Sequence, residues 1–523
     1  MKLRPHQIEA VEAINKNQEG IIHIPTGTGK TNIQAIAISD NIPNAQIWLR
    51  ESNLFRETPV FVVLSPRILL SNQLFMTVRE ILMDRNIDAH YLIVHSGRTQ
   101  DDAGRRKESW NLPYRELKST TKRSIIQDEY RKAREEEVPL IIFGTYDSAE
   151  RITQSQIPVY MVCCDEAQYL VSKEFGWIGE ETDENNDEKF FPAYRKYYFT
   201  ATLKETPSDG GLGMNNSNKF GPIIYEKSPL EMIQMGEIIR PRIHLVNVSN
   251  SDTKANDLLK DVNAIIESFK EHLINVNTGA KMLVVTRGSE HLNDIVSHPK
   301  MKDFLDVRVN MKIFDISSAY NPRINGEIVS REFFLKSLQS LTDTDEAIIF
   351  HINILTEGID VPGITAIMPM NTMGLSKFLQ TLGRATRLHL RDRSRLYEGR
   401  LVWDQIERFV KPYAWVIIPV YGIIGEDLKE ELSEIIYALR GFGFRASEDV
   451  VTKEDKGKAM PQSLAGINQR DRRAKDLLNA LVGIEHEIEE KEEANRLSIE
   501  DFREGEEIKK KSIEEVIKAA KLF

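Results

Sequence analysis

The chain has 523 residues, 41% of them hydrophobic and 28% charged, with a formal net charge of -10. That length fills about three domains of ordinary size, and the composition is that of globular protein rather than of a disordered or fibrous chain. No apolar run approaches the roughly 18 to 20 residues that span a bilayer, so no membrane is expected as a partner. The charged start, "MKLRPHQIEA", is not expected to act as a signal peptide. The two cysteines, Cys163 and Cys164, are adjacent, so they build neither a disulfide framework nor a metal cage and suit a reducing cytoplasm, or a host cytoplasm if the chain is viral. Whole-chain charge is a weak guide to a polyanion partner, because residues 103–124 are basic while 180–188 and the C-terminal tail hold much of the acid.

The first element with chemistry in it is "HIPTGTGKT", His23 to Thr31. An apolar strand ending, Ile21 to Ile24, leads into it and the helical "TNIQAIAIS" leaves it, so the glycines fall at a strand-to-helix turn. Free backbone amides at a helix N-terminus favour phosphate. Pro25, Thr26, Gly27, Thr28 and Gly29 are expected to form the cradle, Lys30 to reach the β and γ phosphates, and Thr31 to hold Mg2+. One departure from the general pattern is Ile24 in place of its first glycine.

Apolar, β-branched runs then alternate with amphipathic helical stretches over about 420 residues: "VFVVLSP", "PLIIFGT", "VYMVCCDEA", "MLVVTRG", "EAIIFHI" and "AWVIIPV". This is the pattern of an α/β protein with parallel sheets covered on both faces. "VYMVCCDEA" ends in two carboxylates at a sheet edge: Asp165 is suited to Mg2+ through water, and Glu166 to polarising an attacking water. A Gly-, Pro- and Asn-rich stretch, 206–222, breaks the alternation and predicts a hinge. The expected division is therefore 1–222, 223–425 and a helical C-terminal region, 426–523, where Leu477, Leu478, Leu481, Ile484 and Ile488 share one helical face and offer a surface for a protein partner. Between the hinge and that region, "LTEGIDVPG" precedes "QTLGRATR". Arg384 and Arg387 are three apart, so on a helix they point together and can meet a γ-phosphate from a second domain.

In their order and content these motifs resemble those of the superfamily 2 helicases and translocases over residues 1–420. "LRPHQIEAV" is similar to the adenine-reading Q motif, "LSPRILLSNQ" to motif Ia, "VHSG" to Ib and "GTYDSAERI" to Ic. "DEAQ" resembles motif II, "TAT" III, "VVTRGSEH" IV, "TEGIDVP" V and "QTLGRATR" VI. The segment 220–243 and the Asp-Glu-Ala-Gln form of motif II resemble the type III restriction motor subunits and phage or repair DNA helicases.

The resemblance implies two tandem RecA-like domains of the P-loop NTPase class, with ATP and Mg2+ in the cleft between them. It implies that Arg4 and Gln7 bind the adenine, that Gly358 and Asp360 join the nucleotide site, and that Gln168 couples motif II to motif VI. Nucleic-acid contacts would come from Pro66, Arg67, Ser96, Gly97, Thr145 and Tyr146 on the first domain, and from Thr286, Arg287 and Thr356 on the second. The partner implied is DNA, single-stranded or forked, before RNA, and the activity is ATP-driven unwinding or translocation. Alternatives are a duplex-DNA motor of a restriction or defence complex, an RNA helicase, and an ATP-gated clamp that does not unwind. The segment 103–132, with Trp110 and Tyr114 among its cations, reads equally as an extension of the nucleic-acid track or as a solvated excursion.

Overall fold

A computed structural model describes residues 3–95, 119–179, 191–206, 213–247, 257–308, 311–317, 319–352, 361, 363–370, 375–420, 426–451 and 479–490. The expectations attached to Ser96, Gly97, Trp110, Tyr114, 180–188, Thr356, Gly358, Asp360, Leu477 and Leu478 lie outside these residues. The strands fall into two sheets. The first comprises β1 (Glu19–His23), β2 (Val60–Ser65), β3 (His90–Val94), β4 (Ser119–Thr120), β5 (Leu140–Thr145), β6 (Val159–Asp165), β7 (Arg195–Thr200) and β8 (Ile223–Glu226), in the order β4-β3-β5-β2-β6-β7-β1-β8. All neighbours run parallel. β2, β5 and β6 are buried at every position, which is why their sequences lack polar alternation.

Parallel pairing brings the carboxyl ends of these strands to one edge. His23 lies opposite Thr200, Asp165 opposite Phe199, and Ser65 opposite Thr145. The phosphate loop, Asp165-Glu166, Thr200 and the residues after Ser65 and Thr145 are therefore neighbours, as in other open α/β sheets that bind ligands at this edge.

The second sheet comprises β9 (Pro241–Asn247), β10 (Lys281–Val285), β11 (Met311–Ile316), β12 (Arg323–Ile324), β13 (Glu327–Ile328), β14 (Glu346–His351), β15 (Ala366–Pro369), β16 (Ala414–Val420) and β17 (Val450–Val451), in the order β13-β12-β11-β14-β10-β15-β16-β9-β17. It is parallel except at β12, which runs antiparallel to both β11 and β13; in the β12–β13 hairpin the turn residues Asn325 and Gly326 both have positive φ, as a tight two-residue loop requires. The fold is thus two tandem RecA-like α/β lobes. The six apolar runs singled out in the sequence form β2, β5, β6, β10, β14 and β16. No described helix is long and apolar enough to cross a membrane.

Two details bear on the domain division, which we propose to place after Glu226. β8 pairs with β1 in the first sheet, so a cut at 222 would separate it from its partner. Strands were expected to cease beyond residue 425, yet β17 adds to β9. A two-residue strand is too short to leave a periodic signal in the sequence. The helix Glu426–Arg440 and a helix over 479–490 pack on the second lobe, with Leu481 and Ile484 buried in its core and Ile488 against it.

The helix Pro5–Lys16 is clamped to the first sheet at its C-terminal end, where helix carbonyls lack intrahelical donors. The buried Arg195 donates to the carbonyls of Ile14 (2.9 Å) and Asn17 (2.6 Å), and the Tyr197 hydroxyl donates to Asn17 as well (2.6 Å). Cys163 and Cys164 are fully buried in β6, and burial pushes both thiols far above their usual range. Arg195→Met leaves the clamped carbonyls without their charged donor. It is expected to cost about 2–4 kcal/mol and to lower the melting temperature of the first lobe by roughly 5 to 10 °C, read by calorimetry.

Candidate active site

The loop after β1 wraps on itself before entering the helix Lys30–Glu51. The Thr28 hydroxyl donates to the Pro25 carbonyl (2.7 Å), and Gly27 and Gly29 take φ of +87° and +89°, which a side chain would strain. Gly29 caps the helix, leaving its first amides free for an anion. Lys30 is buried, with Nζ 3.5 Å from the Ile24 carbonyl, and Thr31 is half-buried beside it. Gln7 braces this loop: its amide donates to the carbonyls of Thr28 (3.3 Å) and Gly29 (3.4 Å), while its oxygen accepts from the Arg4 backbone (3.1 Å). Arg4 pairs across the seam with Glu237 at 2.8 Å. His6, fully buried, reaches the Thr28 carbonyl at 2.8 Å.

Asp165 is buried and accepts from the Gln34 amide (2.9 Å). Burial, and then the neighbouring Glu166, push its carboxyl up to about 7 against the pull of Lys30. A carboxylate with no ion pair among the described residues, beside a phosphate loop, fits Mg2+. No group of three or more ligating side chains forms among the described residues, and Mg2+ asks only for one or two protein oxygens when phosphates and water complete its shell.

Glu166 sits in the left-handed region (φ 52°, ψ 50°), a strained backbone of the kind found at functional positions. Gln168 donates to its Oε2 at 2.8 Å, and Thr200 donates to Gln168 Oε1 at 2.7 Å. Gln168 therefore joins the Asp-Glu-Ala-Gln segment to the Thr-Ala-Thr segment. The bond to Glu166 from the second lobe comes instead from Gln380, at 3.5 Å.

The helix Leu375–Ala385 lays its glycine against the loop. A Cβ on Gly383 would lie 2.5 Å from Thr26 Cβ, and one on Gly27 would lie 3.0 Å from Arg387 Cγ. Arg384 is buried near His351, whose ring is held neutral, its pKa lowered to about 3 by burial and then by Arg384. Arg387 is held by its backbone, through a bridge to Ile238 and a 2.7 Å bond from the Lys411 ammonium to its carbonyl. Lys30, Asp165, Glu166 and Arg387 thus gather at one place, built from both lobes.

Pro66, Arg67, Thr145, Tyr146, Thr286 and Arg287 end or directly follow β2, β5 and β10, at the carboxyl edges of their sheets. Pro66 is half-buried and Arg67 exposed. Thr145 bonds Ser148 (3.0 Å) and is buried. The Tyr146 side chain lies in the core, with its hydroxyl donating to the Asp165 carbonyl (2.6 Å), so it positions the acidic strand end rather than facing outward. Thr286 is buried, while the half-exposed Arg287 pairs with the buried Asp261 at 3.0 Å. His6, Gln34, Glu237 and Gln380 were not singled out in the sequence. Only Gln380 had a local signal, lying one helical turn before Arg384.

Residues 4–209 match the family model described as DEAD/DEAH box helicase. That match falls on the first lobe and covers less than half of the chain. In fold, the chain is similar to the ATP-dependent Type ISP restriction-modification enzyme LlaBIII bound to DNA, with a TM-score of 0.61, 15% identity, and coverage of 92% of this chain and 32% of that one. It is also similar to a nuclease-deletion mutant of the Type ISP restriction-modification enzyme LlaGI in complex with a DNA substrate mimic, with a TM-score of 0.51, 16% identity, and coverage of 87% and 30%. The chain spans about a third of the length of these enzymes, and at that identity they show the shared fold. No curated protein matches the chain.

Two outcomes are expected of this site. Gly383→Ala suits the helix itself by about 1 kcal/mol but drives a methyl into Thr26. It should leave the melting temperature intact while lowering kcat at least about tenfold, read by steady-state ATP turnover. With its folded pKa above 3.8, Asp165 favours the metal-free fold when protonated, fully so below pH 3.8, and that contribution is lost as the pH rises through about 7. Mg2+ competes with this proton, so the Mg2+ concentration for half-maximal turnover should fall as pH rises from 6 to 8, and Asp165→Asn should flatten the dependence.

Proposed function

We propose that the chain couples ATP hydrolysis to movement along DNA, with strand separation as its output on a forked substrate. The observation that carries this reading is the two-lobed site: Gln380 bonds Glu166, and Arg387 lies over Gly27, from the opposite lobe. Lys30 and the loop amides would bind the phosphates. Glu166, oriented by Gln168, keeps one oxygen to take the proton of the attacking water. Arg384 and Arg387 would meet the charge that builds on the transferred phosphoryl group. Mg2+ held through Thr31 and Asp165 would neutralise phosphate charge. Because these groups come from two lobes, hydrolysis would require closure, and release would let the lobes part.

A polymer gripped along the carboxyl edges of both sheets, at Pro66, Arg67 and Arg287, would then be held by two surfaces whose separation changes in each cycle. Such grips act on phosphates and sugars and read no sequence. DNA is chosen over RNA because the Asp-Glu-Ala-Gln segment and the inter-lobe passage resemble DNA-directed motors, a choice supported by the two Type ISP enzymes of similar fold named above, one bound to DNA and one to a DNA substrate mimic. The same likeness favours duplex translocation as the second reading.

The test is ATP turnover with no polymer, single-stranded DNA, duplex DNA or RNA, alongside unwinding of tailed duplexes. DNA should stimulate turnover, and Lys30→Ala or Glu166→Gln should lose about 100-fold or more. Turnover indifferent to every polymer would overturn the motor reading. Stronger stimulation by RNA would overturn the choice of DNA, and stimulation by duplex without unwinding would select translocation.

A further inference from the structure

Arg287, at the carboxyl edge of the second sheet, is held as a solvated surface arginine is not. The backbone around it is fixed first. Thr286 donates its N–H to the His351 carbonyl (3.1 Å), and Met370, just after β15, donates its own to that of Val285 (2.9 Å). The side chain is then tied at two atoms. Its Nε donates to the Met370 carbonyl (3.3 Å) and its Nη2 to Asp261 Oδ1 (3.1 Å). Asp261 is buried on the helix Asp257–His272, while the Arg287 side chain is half-exposed.

His291 completes the tie. The Arg287 backbone N–H donates to its Nδ1 (3.4 Å). An amide N–H can only donate, so Nδ1 accepts and the ring proton sits on Nε2. Nε2 then donates to Asp261 Oδ2 (2.8 Å), which closes a ring of hydrogen bonds through all three residues. The planar guanidinium decides what is left over. Nε and Nη2 share one edge, and both are spent inward; Nη1 bonds no described residue. Beyond it the chain opens, since a Cβ on Gly288 would meet nothing within 4 Å. A fixed fork of N–H groups matches the oxygens of a phosphate, and a side chain already tied loses less rotamer freedom on binding one. Charge alone argues the other way, because an acid beside a phosphate-binding cation weakens the attraction. Asp261 at a polyanion grip is therefore explained by orientation rather than by field.

We propose that Asp261 and His291 are positioning residues that hold the Arg287 guanidinium ready for a backbone phosphate of the bound strand. The inference rests on the DNA-motor reading above and deepens it: the second lobe grips with a rigid fork rather than a mobile cation. Asp261 stands 26 positions before Arg287, outside every motif named in the sequence, so nothing local announces its role.

The test uses the full chain and a fluorescein-labelled thymidine oligonucleotide, with binding followed by anisotropy. Arg287→Ala should weaken binding about tenfold. Asp261→Asn keeps the shape and removes the charge; it should weaken binding about fivefold, although loss of an acid by itself would tighten the hold on a polyanion. Combined, the two should bind no more weakly than Arg287→Ala alone, since nothing is then left to position. The oligonucleotide concentration for half-maximal stimulation of ATP turnover should rise by the same factors, with turnover at saturation little changed. His291→Phe spares the carboxylate and should lose about threefold; it serves if Asp261→Asn does not fold. Binding as tight as wild type in Asp261→Asn or in His291→Phe, or losses that multiply in the double variant, would overturn the inference. Failure of the underlying reading looks different: the wild-type protein itself would not bind the oligonucleotide, and the inference would fall with it.

Discussion

The contact on which the site depends is the approach of the phosphate loop to the helix Leu375–Ala385, with a glycine on each side of it. A Cβ at Gly27 would press on the Arg387 side chain at 3.0 Å, and one at Gly383 would collide with Thr26 at 2.5 Å. Glycine at both points lets one lobe's backbone come within a side chain's width of the other's. From that approach follow the Gln380–Glu166 bond and the placement of Arg387 over the loop. The sheets provide the platform: parallel strands deliver their carboxyl ends, and so the loops, to facing edges.

Around that contact the chain invests in buried polar groups rather than apolar filling. The segment after the arginine-bearing helix is held from several directions by backbone contacts: Ile239 donates to the Thr386 carbonyl (2.9 Å), and Lys411 donates to that of Arg387. Lys411 is almost fully buried, and burial, reinforced by Arg387, brings its pKa down to about 7. Asp392 accepts from the Val410 and Lys411 amides at 2.9 and 3.0 Å, closing the same turn. Buried groups of this sort are costly to desolvate and directional once bonded, which favours one arrangement of the arginines over many of similar packing energy.

Much of this was legible in the sequence where function is written in consecutive residues. "HIPTGTGKT" and "CCDEAQ" state their chemistry within nine residues, and the apolar runs fixed the α/β class. What escaped notice is what depends on residues far apart. Arg4 and Glu237 are 233 positions apart, and Gln380 and Glu166 are 214 apart, so no local pattern links them. Tyr146 reads as a surface residue after a strand, yet its ring is swallowed by the core once β5 and β6 stand in one sheet. β8 misled for a related reason: an edge strand with exposed ends leaves a weak apolar signature, and only pairing with β1 reveals which lobe owns it.

The two cysteines have a practical consequence. Fully buried within a central strand, their sulfurs neither meet solvent nor ionise near neutral pH, and thiol reagents attack the thiolate. A folded chain of this kind needs no cysteine-free background for chemical labelling. One new surface thiol on each lobe would carry a donor and an acceptor dye, and the distance between the lobes could be followed in single molecules while the native β6 core stays untouched.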